Sequence, residues 1–344
     1  MKSSTKAILA AAGVATLAFS PANAFENGAV STQPGSFIGA SAGVPPPGIY
    51  MFNQIFTDQR NFAGPGTTTL GLGNHSSLHI NDYNAGFLFV PGWTFLGATY
   101  DAVLVQPFVD VGVGTPVGAP VTPGVTSGVF NTYIVPIELS WKLGTSGFAV
   151  KTGFAVYVPD GTENGFNKLG NVGNPWWTFQ PELIISYLGN GWNLSVAMYA
   201  EFNTEDRFSH YTNGDVFHAD FTATKTIGKW TFGPVGYYVG QVSDDKCALS
   251  CQITGQSTLL HTQRFNVFAV GGLLEYNFGP ASLSVWATQD VLANAKNSAA
   301  LIPNLSLTGG EDPSLISKGL TVFATISYRI WAPEEPAKAP MIHK

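Results

Sequence analysis

A regular alternation of apolar and polar residues near the C-terminal end is the clearest structural signal in the chain. Along residues 319–331, one face of an extended strand carries Leu320, Val322, Ala324, Ile326, Tyr328 and Ile330. The opposite face carries Thr321, Phe323, Thr325, Ser327 and Arg329. Because side chains alternate across a strand, this pattern predicts a ribbon with one apolar and one mostly polar face. Its length suits the roughly 9–11 residues that a tilted strand needs to cross a bilayer.

The same alternation recurs along the chain from Gly48 onward. In the run 192–203, apolar side chains on one face oppose polar and charged side chains on the other. Twelve strand-like runs occupy residues 48–56, 83–93, 98–111, 129–142, 147–158, 176–187, 192–203, 215–226, 231–243, 263–278, 282–292 and 319–331. Such repetition of a two-residue period predicts an all-β chain.

One run breaks the alternation. Within 263–278, Arg264 and Asn266 share a face with Phe268, which mixes polar and apolar side chains on that face. A β-bulge, or a kink at Gly271-Gly272, would restore the register, so we predict such an irregularity in this strand.

The connections between the runs alternate between short and long. The short links are of hairpin size, are rich in Gly, Asn or Pro, and occupy residues 93–97, 143–146, 188–191, 227–230 and 279–281. The long links occupy residues 57–82, 112–128, 159–175, 204–214, 244–262 and 293–318. Outer-membrane barrels alternate in this way, and a closed sheet leaves no unpaired edge in lipid. We therefore predict, over residues 48–331, a single closed antiparallel transmembrane β-barrel of about 12 strands, with short periplasmic turns and long external loops.

The placement of tryptophans supports this orientation. Those beside a short link, or at the end of the last run, are Trp93, Trp141, Trp192, Trp230 and Trp331. Amphipathic rings favour the membrane interface, so these residues indicate the periplasmic rim. Trp176 and Trp177 fall at the opposite rim. Trp286 is the exception, because it lies in mid-strand on a polar face.

The composition favours a barrel over a soluble protein or a helical membrane protein. Charged residues make up 11% of the 344-residue chain, whereas soluble domains contain about a quarter. Mean hydropathy is only +0.13, and no run beyond the N-terminus approaches the ~20 apolar residues of a spanning helix. A barrel reconciles these facts, because lipid-facing and lumen-facing residues alternate along each strand.

The first 24 residues have the features of an export signal peptide. Lys2 and Lys6 provide a positive start, residues 7–19 form a short apolar core, and Ala22-Asn23-Ala24 is a small-x-small cleavage site. We expect cleavage after Ala24 and localisation in the outer membrane of a Gram-negative cell. The alternative, an anchor helix, would need a longer apolar core.

Two further segments flank the predicted barrel. Residues 25–47 are rich in Gly, Ala, Ser and Pro and end in three prolines, which lack the donor that a strand ladder needs. The segment precedes the first strand on the periplasmic side, and its small residues suit irregular backbone packed inside a lumen. We predict that it is either a leader or a lumen plug. Residues 332–344 are predicted to be a periplasmic C-terminal tail.

Charged residues on the polar strand faces are the candidates for a functional lumen. Those predicted to face inward are Asp101, Glu138, Lys142, Lys151, Glu182, Glu201, Asp220, Asp290 and Arg329. One interpretation is a solute path whose charges tune selectivity. The other is a structural network, since charges in a confined interior need partners. Acids outnumber bases six to three in this set, so a permeating anion would be disfavoured.

The two cysteines, Cys247 and Cys251, fall in a long external link. In an exported chain, a pair so close in sequence is typical of a disulfide, and three intervening residues permit closure if the loop turns tightly. A metal site is the alternative, but it needs more ligands than this loop offers. We predict a disulfide that orders the loop locally and is not needed for insertion of the barrel.

Signals for catalysis or for metal binding are weak. The Gly-rich stretches lack a following helix with a Lys-Ser or Lys-Thr pair, so no phosphate cradle is predicted. His75 and His79 have a helical spacing but lie in loop or strand sequence. His210, Asp215 and His218 cluster around a long link, where polar residues are usually solvated. We therefore expect neither an enzyme nor a bound cofactor or metal.

Net charge bears on the expected partners. Removal of the signal peptide leaves 14 basic residues against 22 acidic ones, a net charge of −8. No basic patch is present, so nucleic acid is not an expected partner. The partners that we expect are the lipid bilayer with its lipopolysaccharide, the barrel-assembly machinery and a small-molecule solute.

Several short motifs, taken in order, carry a resemblance. They are Pro45-Pro46-Pro47-Gly48-Ile49-Tyr50, Val90-Pro91-Gly92-Trp93, Tyr157-Val158-Pro159-Asp160-Gly161, Asn174-Pro175-Trp176-Trp177 and Gly236-Tyr237-Tyr238. Over nearly the whole mature chain, the sequence resembles the MetA-pathway phenol-degradation family of bacterial outer-membrane proteins, which is related to SphA-like barrels. Asp160 is a small departure, since the resemblance leads us to expect Pro-Thr-Gly there.

Two functions of different classes stay open at this point. The resemblance implies a channel or facilitator that takes up small hydrophobic or aromatic solutes. The alternative is a structural or adhesive barrel with a closed lumen, which works through its external loops. A conductance or solute-uptake measurement would separate the two.

Overall fold

A computed structural model describes most of the chain. The described residues are 30–69, 77–114, 124–163, 172–208, 210–247, 264–295 and 316–333. The predicted signal peptide and nearly all of the predicted C-terminal tail lie outside these residues, so both stay predictions.

Twelve long strands form one barrel. They are β1 (Gly48–Ala63), β2 (Ser77–Val90), β3 (Ala98–Gly114), β4 (Thr132–Lys142), β5 (Phe148–Val158), β6 (Thr178–Gly189), β7 (Trp192–Asn203), β8 (Val216–Ile227), β9 (Trp230–Gln241), β10 (Phe265–Asn277), β11 (Ala281–Ala295) and β12 (Ile316–Trp331). Each pairs antiparallel with the next, and β12 pairs with β1 to close the ring. The prediction of a closed antiparallel barrel is confirmed, and closure leaves no exposed edge in lipid.

Alternation along each strand sorts the side chains between the lumen and the outer surface. In β6, Gln180, Glu182 and Ile184 are buried on the inner face, whereas Phe179 and Leu183 are exposed on the outer face. Every one of the twelve strands carries at least one exposed large apolar side chain. A band of exposed apolar side chains is favourable only against lipid, so the outer surface is the membrane-facing one.

The hairpin turns all lie at one end of the barrel and the long connections at the other. Asn190-Gly191, between β6 and β7, has positive φ at both residues (51° and 76°), which is typical of a type I′ turn that fits the strand twist. In outer-membrane barrels the short turns are periplasmic. Exposed Trp93, Trp230 and Trp331 lie at this short-turn end.

Strands β1 and β2 are longer than predicted. The first run was expected to end at residue 56 and the second to begin at 83, whereas β1 continues to Ala63 and β2 begins at Ser77. The added part of β1 holds Asp58 and Arg60, which are buried on the inner face. The outward-facing residues in this part of β1 are also polar. The stretch therefore has no apolar face, and its sequence pattern is that of a loop.

The irregularity predicted within 263–278 lies in the neighbouring strand instead. Strand β10 keeps its alternation throughout, and β11 carries the extra residue, since its pairing steps from Leu292 to Asp290. Asn266 does lie on the outer face, but at the long-loop rim, where the Asn294 amide donates a hydrogen bond to it at 3.1 Å. The polar side chain is therefore satisfied outside the apolar band.

Several short elements lie at the ends of the barrel. One-turn helix α1 (Gly66–Thr69) follows β1, and two short strands, Thr94–Phe95 and Gly124–Val129, pair with β3. Outside the barrel, Tyr211–Thr212 pairs with Lys246–Cys247. In the described ranges, no helix is long and apolar enough to span a membrane.

The predicted disulfide is not tested by the structure. Cys251 and the side chain of Cys247 lie outside the described residues. The pair therefore stays a prediction.

Candidate functional site

The N-terminal segment, residues 30–47, runs through the inside of the barrel. Near the long-loop end, the amides of Ser31 and Thr32 donate to the two carboxylate oxygens of Glu201 at 2.9 and 2.8 Å. Thr32 Oγ1 also donates to Gln180 Oε1 at 2.6 Å. All four residues are buried. A buried carboxylate is costly without donors, and here the backbone of the segment supplies them.

The middle of the segment is held by strand β8. Asp220 accepts hydrogen bonds from the amides of Gly35 and Phe37 at 3.3 and 2.9 Å. Thr222 Oγ1 accepts another from the Gly39 amide at 2.9 Å. Backbone without regular secondary structure has unpaired amides, so inward polar side chains of the barrel wall satisfy them.

Trp286, the exception among the tryptophans, also contacts the N-terminal segment. Its indole is buried in the lumen, stacks on Phe323 with ring centroids 4.9 Å apart, and donates to the Gly35 carbonyl at 3.2 Å. A tryptophan on a polar strand face is thus explained by packing inside the barrel rather than at the membrane interface.

The C-terminal part of the segment reaches the short-turn end. The Ala42 amide donates to Ser186 Oγ at 2.8 Å, and the Ser140 hydroxyl donates to the Ala42 carbonyl. At the rim, the Arg329 guanidinium donates to the Pro47 carbonyl. The segment therefore traverses the lumen from the long-loop end to the start of β1.

A cavity lies beside this segment. The anchors come chiefly from β4–β8 and β11, and the opposite part of the lumen holds a space of about 640 Å³. We name this space the chamber. Its lining is mainly apolar and includes Phe52, Phe56, Ile80, Val105, Val111 and Val135. A volume of this order fits a small organic molecule.

Three of the predicted lumenal charges form one buried cluster. Lys151 Nζ lies 3.1 Å from Asp101 Oδ2 and 3.1 Å from Glu138 Oε2. Glu182 is nearby and accepts hydrogen bonds from the Tyr133 hydroxyl and, at 2.7 Å, from the Gln180 amide. Glu138 and Lys151 also line the chamber. The structure thus brings these side chains together as partners.

The other predicted charges lie apart from this cluster. Glu201 and Asp220 bind the N-terminal segment, and Asp290 pairs with Arg60. Lys142 and Arg329 are exposed at the short-turn end. Whether any of these residues serves solute passage stays a prediction.

Comparison with known proteins identifies the family. The family described as "Putative MetA-pathway of phenol degradation" matches residues 57–300. The chain belongs to this family. Among curated proteins, none matches the chain.

Comparison with solved structures gives further matches to this family member. The COG4313 outer membrane channel from Pseudomonas putida F1 has a TM-score of 0.64 and 13% identity, covering 86% of this chain and 99% of that one. A Pseudomonas aeruginosa FadL homologue has a TM-score of 0.43 and 10% identity, covering 87% and 99%. The Pseudomonas putida toluene transporter TodX has a TM-score of 0.34 and 9% identity, covering 91% and 98%. With its closed barrel of twelve strands, this family member is an outer-membrane protein.

Arg60, Asp58 and Asp82 are lumenal residues that the sequence analysis missed. All three lie on the inner faces of β1 and β2, within the stretch 57–82 that was expected to be a loop. No hydropathy signal marked them, because buried Phe56, Asp58, Arg60 and Phe62 alternate with exposed residues that are themselves polar. Arg60 is the only buried arginine among the described residues, and it binds two of the buried acids.

The histidines do not form a metal site within the described ranges. His218 is buried, with Nε2 3.1 Å from Glu201 Oε1, whereas His210 is exposed and lies 2.6 Å from Glu205. Asp215 accepts a hydrogen bond from Ser243 instead. His79 is exposed, and His75 lies outside the described residues.

One serine motif lies in the N-terminal segment. Residues 39–43 read Gly-Ala-Ser-Ala-Gly, which has the spacing of a hydrolase nucleophile elbow. They lie in irregular backbone within the lumen, without the strand-to-helix turn that exposes such a serine.

Asp245 lies in the long connection after β9. Its burial leads us to expect that the stability of this external loop depends on pH. Burial raises the pKa of Asp245 to about 6, although hydrogen bonds from Tyr211, the Gly214 amide and Gln241 oppose the shift. The folded loop therefore binds a proton more tightly than the unfolded chain, whose aspartates have a pKa near 3.9. Its stability is greatest below about pH 4 and falls as the pH rises to about 6.

Hydrogen exchange tests this expectation. After correction for intrinsic rates, the Val242 amide, which donates to the Asp215 carbonyl at 2.8 Å and does not bind Asp245, should be better protected at pH 4 than at pH 7. Asp245→Asn should remove most of this difference, because asparagine does not titrate. Stronger protection at pH 7 in the wild-type protein would contradict the expectation.

Proposed function

We propose that this barrel is an outer-membrane channel for small apolar solutes, including aromatic ones. The observation that carries the proposal is the chamber, a space of about 640 Å³ with mainly apolar walls. Apolar walls favour a hydrophobic solute because both surfaces release water on contact. The phenol-degradation description of the family and the channel title of the Pseudomonas putida neighbour support the same function.

The proposed solute path passes between the N-terminal segment and strands β1–β4. The segment is bound chiefly to the opposite side of the lumen, so it narrows the passage and leaves the chamber free. The buried acids of the lumen disfavour an anionic solute, because a confined negative potential repels it.

A closed structural barrel is the second candidate. The continuous contacts of residues 30–47 with the wall, from Ser31 to Pro47, favour it. In this case the segment is a permanent plug, the external loops are the working part, and no solute crosses.

Uptake of radiolabelled toluene by whole cells tests the channel. Cells with the protein should take up toluene faster than cells without it. Val105 lines the chamber, so Val105→Trp should fill part of it and lower the uptake several-fold. Leu104→Trp is the matched control, because Leu104 is exposed on the outer face of the same strand.

Two outcomes would contradict the proposal. Equal uptake with and without the protein would favour the closed barrel. Wild-type uptake by Val105→Trp would show that the solute path does not use the chamber.

A further inference from the structure

Asp82 differs from the other lumenal acids. It lies on the inner face of β2 and lines the chamber, where its register partners on β1 and β3 are Phe56 and Val109. Within the described part of the chain, no basic residue pairs with it. By contrast, Asp58 and Asp290 share Arg60. A carboxylate in an apolar wall without a counter-ion is costly, so packing alone does not explain it.

The hydrogen bonds of Asp82 leave acceptor capacity unused. Asn84 Nδ2 lies 3.1 Å from Asp82 Oδ2 and 3.4 Å from Gln54 Oε1, so it serves both acceptors. The backbone amides of Tyr83 and Phe108 lie near the carboxylate, but Asp82 Oδ1 is buried and accepts no hydrogen bond of ordinary geometry from the described residues. The χ2 torsion of aspartate is broad, so the carboxylate can turn this oxygen toward a donor in the chamber at little cost.

The three polar residues form a strip across an otherwise apolar wall. Gln54 Nε2 extends it to the Ser36 carbonyl of the N-terminal segment, at 3.5 Å. A solute in the chamber therefore contacts apolar side chains over most of its surface and one group of acceptors at this strip. Such an arrangement binds a molecule that is apolar except for one donor.

We propose that Asp82 is a specificity-determining residue, which accepts a hydrogen bond from the hydroxyl group of a small, neutral, aromatic solute in the chamber. The inference rests on the proposed function and deepens it. A hydrocarbon of the same size enters the chamber but leaves the carboxylate unpaired. Discrimination arises because a buried acceptor loses its bond with water and regains one only with a donor.

Equilibrium dialysis of the detergent-purified full-length protein tests the inference. Phenol and toluene serve as probes, because they have similar size and differ in the hydroxyl group. Asp82→Leu should weaken phenol binding by about ten-fold, as expected for a hydrogen bond to a charged group, and should not weaken toluene binding. Asp110→Leu is the matched control, because Asp110 lies on the outer face of β3 and does not line the chamber.

The remaining outcomes separate the inference from the proposed function. If Asp82→Leu weakens both probes equally, or neither, Asp82 is not a specificity residue, and the channel proposal stands. If the wild-type protein binds neither probe, both proposals fail. If Asp82→Leu does not fold, Asp82→Asn takes its place, with a few-fold loss of phenol binding and unchanged toluene binding as the supporting result.

Discussion

Deletion of residues 26–44 will raise the single-channel conductance of this barrel in planar lipid bilayers. The described part of this stretch crosses the lumen and holds Glu201, Asp220 and Ser186 through its backbone amides. Once it is removed, water fills the space that it occupied. We expect discrete conductance steps well above those of the full-length protein. Unchanged conductance would mean that the segment is only a leader.

The open pore should also prefer cations. Buried acids in the lumen are more numerous than the two buried bases of the described chain, Arg60 and Lys151, and deletion leaves the carboxylates of Glu201 and Asp220 facing water. The reversal potential in a potassium chloride gradient measures this preference. Glu201→Ala combined with Asp220→Ala should give partial opening, because the segment loses two anchors. Glu275→Ala is the control, since Glu275 bonds to Ser284 and not to the segment.

Much of the barrel could be predicted because its signal is local. A strand needs only a two-residue alternation and a turn needs only Gly, Asn or Pro, and both are visible in windows of a few residues. Alternation of short and long links then gives the topology. The prediction lost accuracy at Asp58 and Arg60, where the outer face near the rim is as polar as the inner face. In this stretch buried and exposed residues alternate, but apolar and polar residues do not.

The contacts between side chains inside the lumen could not be predicted, because no local sequence pattern indicates which of them meet. Glu201 was expected to face inward, but its bonds to Ser31 and Thr32 join residues about 170 positions apart. Trp286 likewise lies on a polar strand face for a reason that its own strand does not show, because its indole binds Gly35 in the N-terminal segment. Which inward residues meet depends on strand register around the whole ring, and the sequence of one strand does not specify it.

Arg60 bridges the seam between the first and last strands from the inside of the barrel. Its guanidinium lies 2.9 Å from Asp58 Oδ2 and 2.8 Å from Asp290 Oδ2. It also donates to Thr321 Oγ1 on β12 at 2.8 Å and to the Tyr237 hydroxyl on β9 at 3.3 Å. One buried cation therefore joins four strands, including the pair β1 and β12 that closes the barrel.

Arg60→Met will destabilise the barrel by about 3–5 kcal/mol, the range for breaking a buried ion pair by removal of one partner. The substitution keeps an apolar stem but leaves Asp58 and Asp290 buried without their cation. Urea-induced unfolding in lipid vesicles, followed by tryptophan fluorescence, measures the free energy of unfolding. Arg60→Lys keeps the charge and loses the planar fork, so we expect an intermediate value.

Removal of the carboxylate charges as well tests whether unpaired carboxylates cause the loss of stability in Arg60→Met. In the Arg60→Met background, Asp58→Asn and Asp290→Asn should recover most of the lost stability, because neutral amides need no cation. The same two changes in the wild-type background should destabilise, since they leave Arg60 as the uncompensated charge. If the triple variant unfolds at a lower urea concentration than Arg60→Met alone, the cost of Arg60→Met comes from lost packing and hydrogen bonds rather than from unpaired carboxylates.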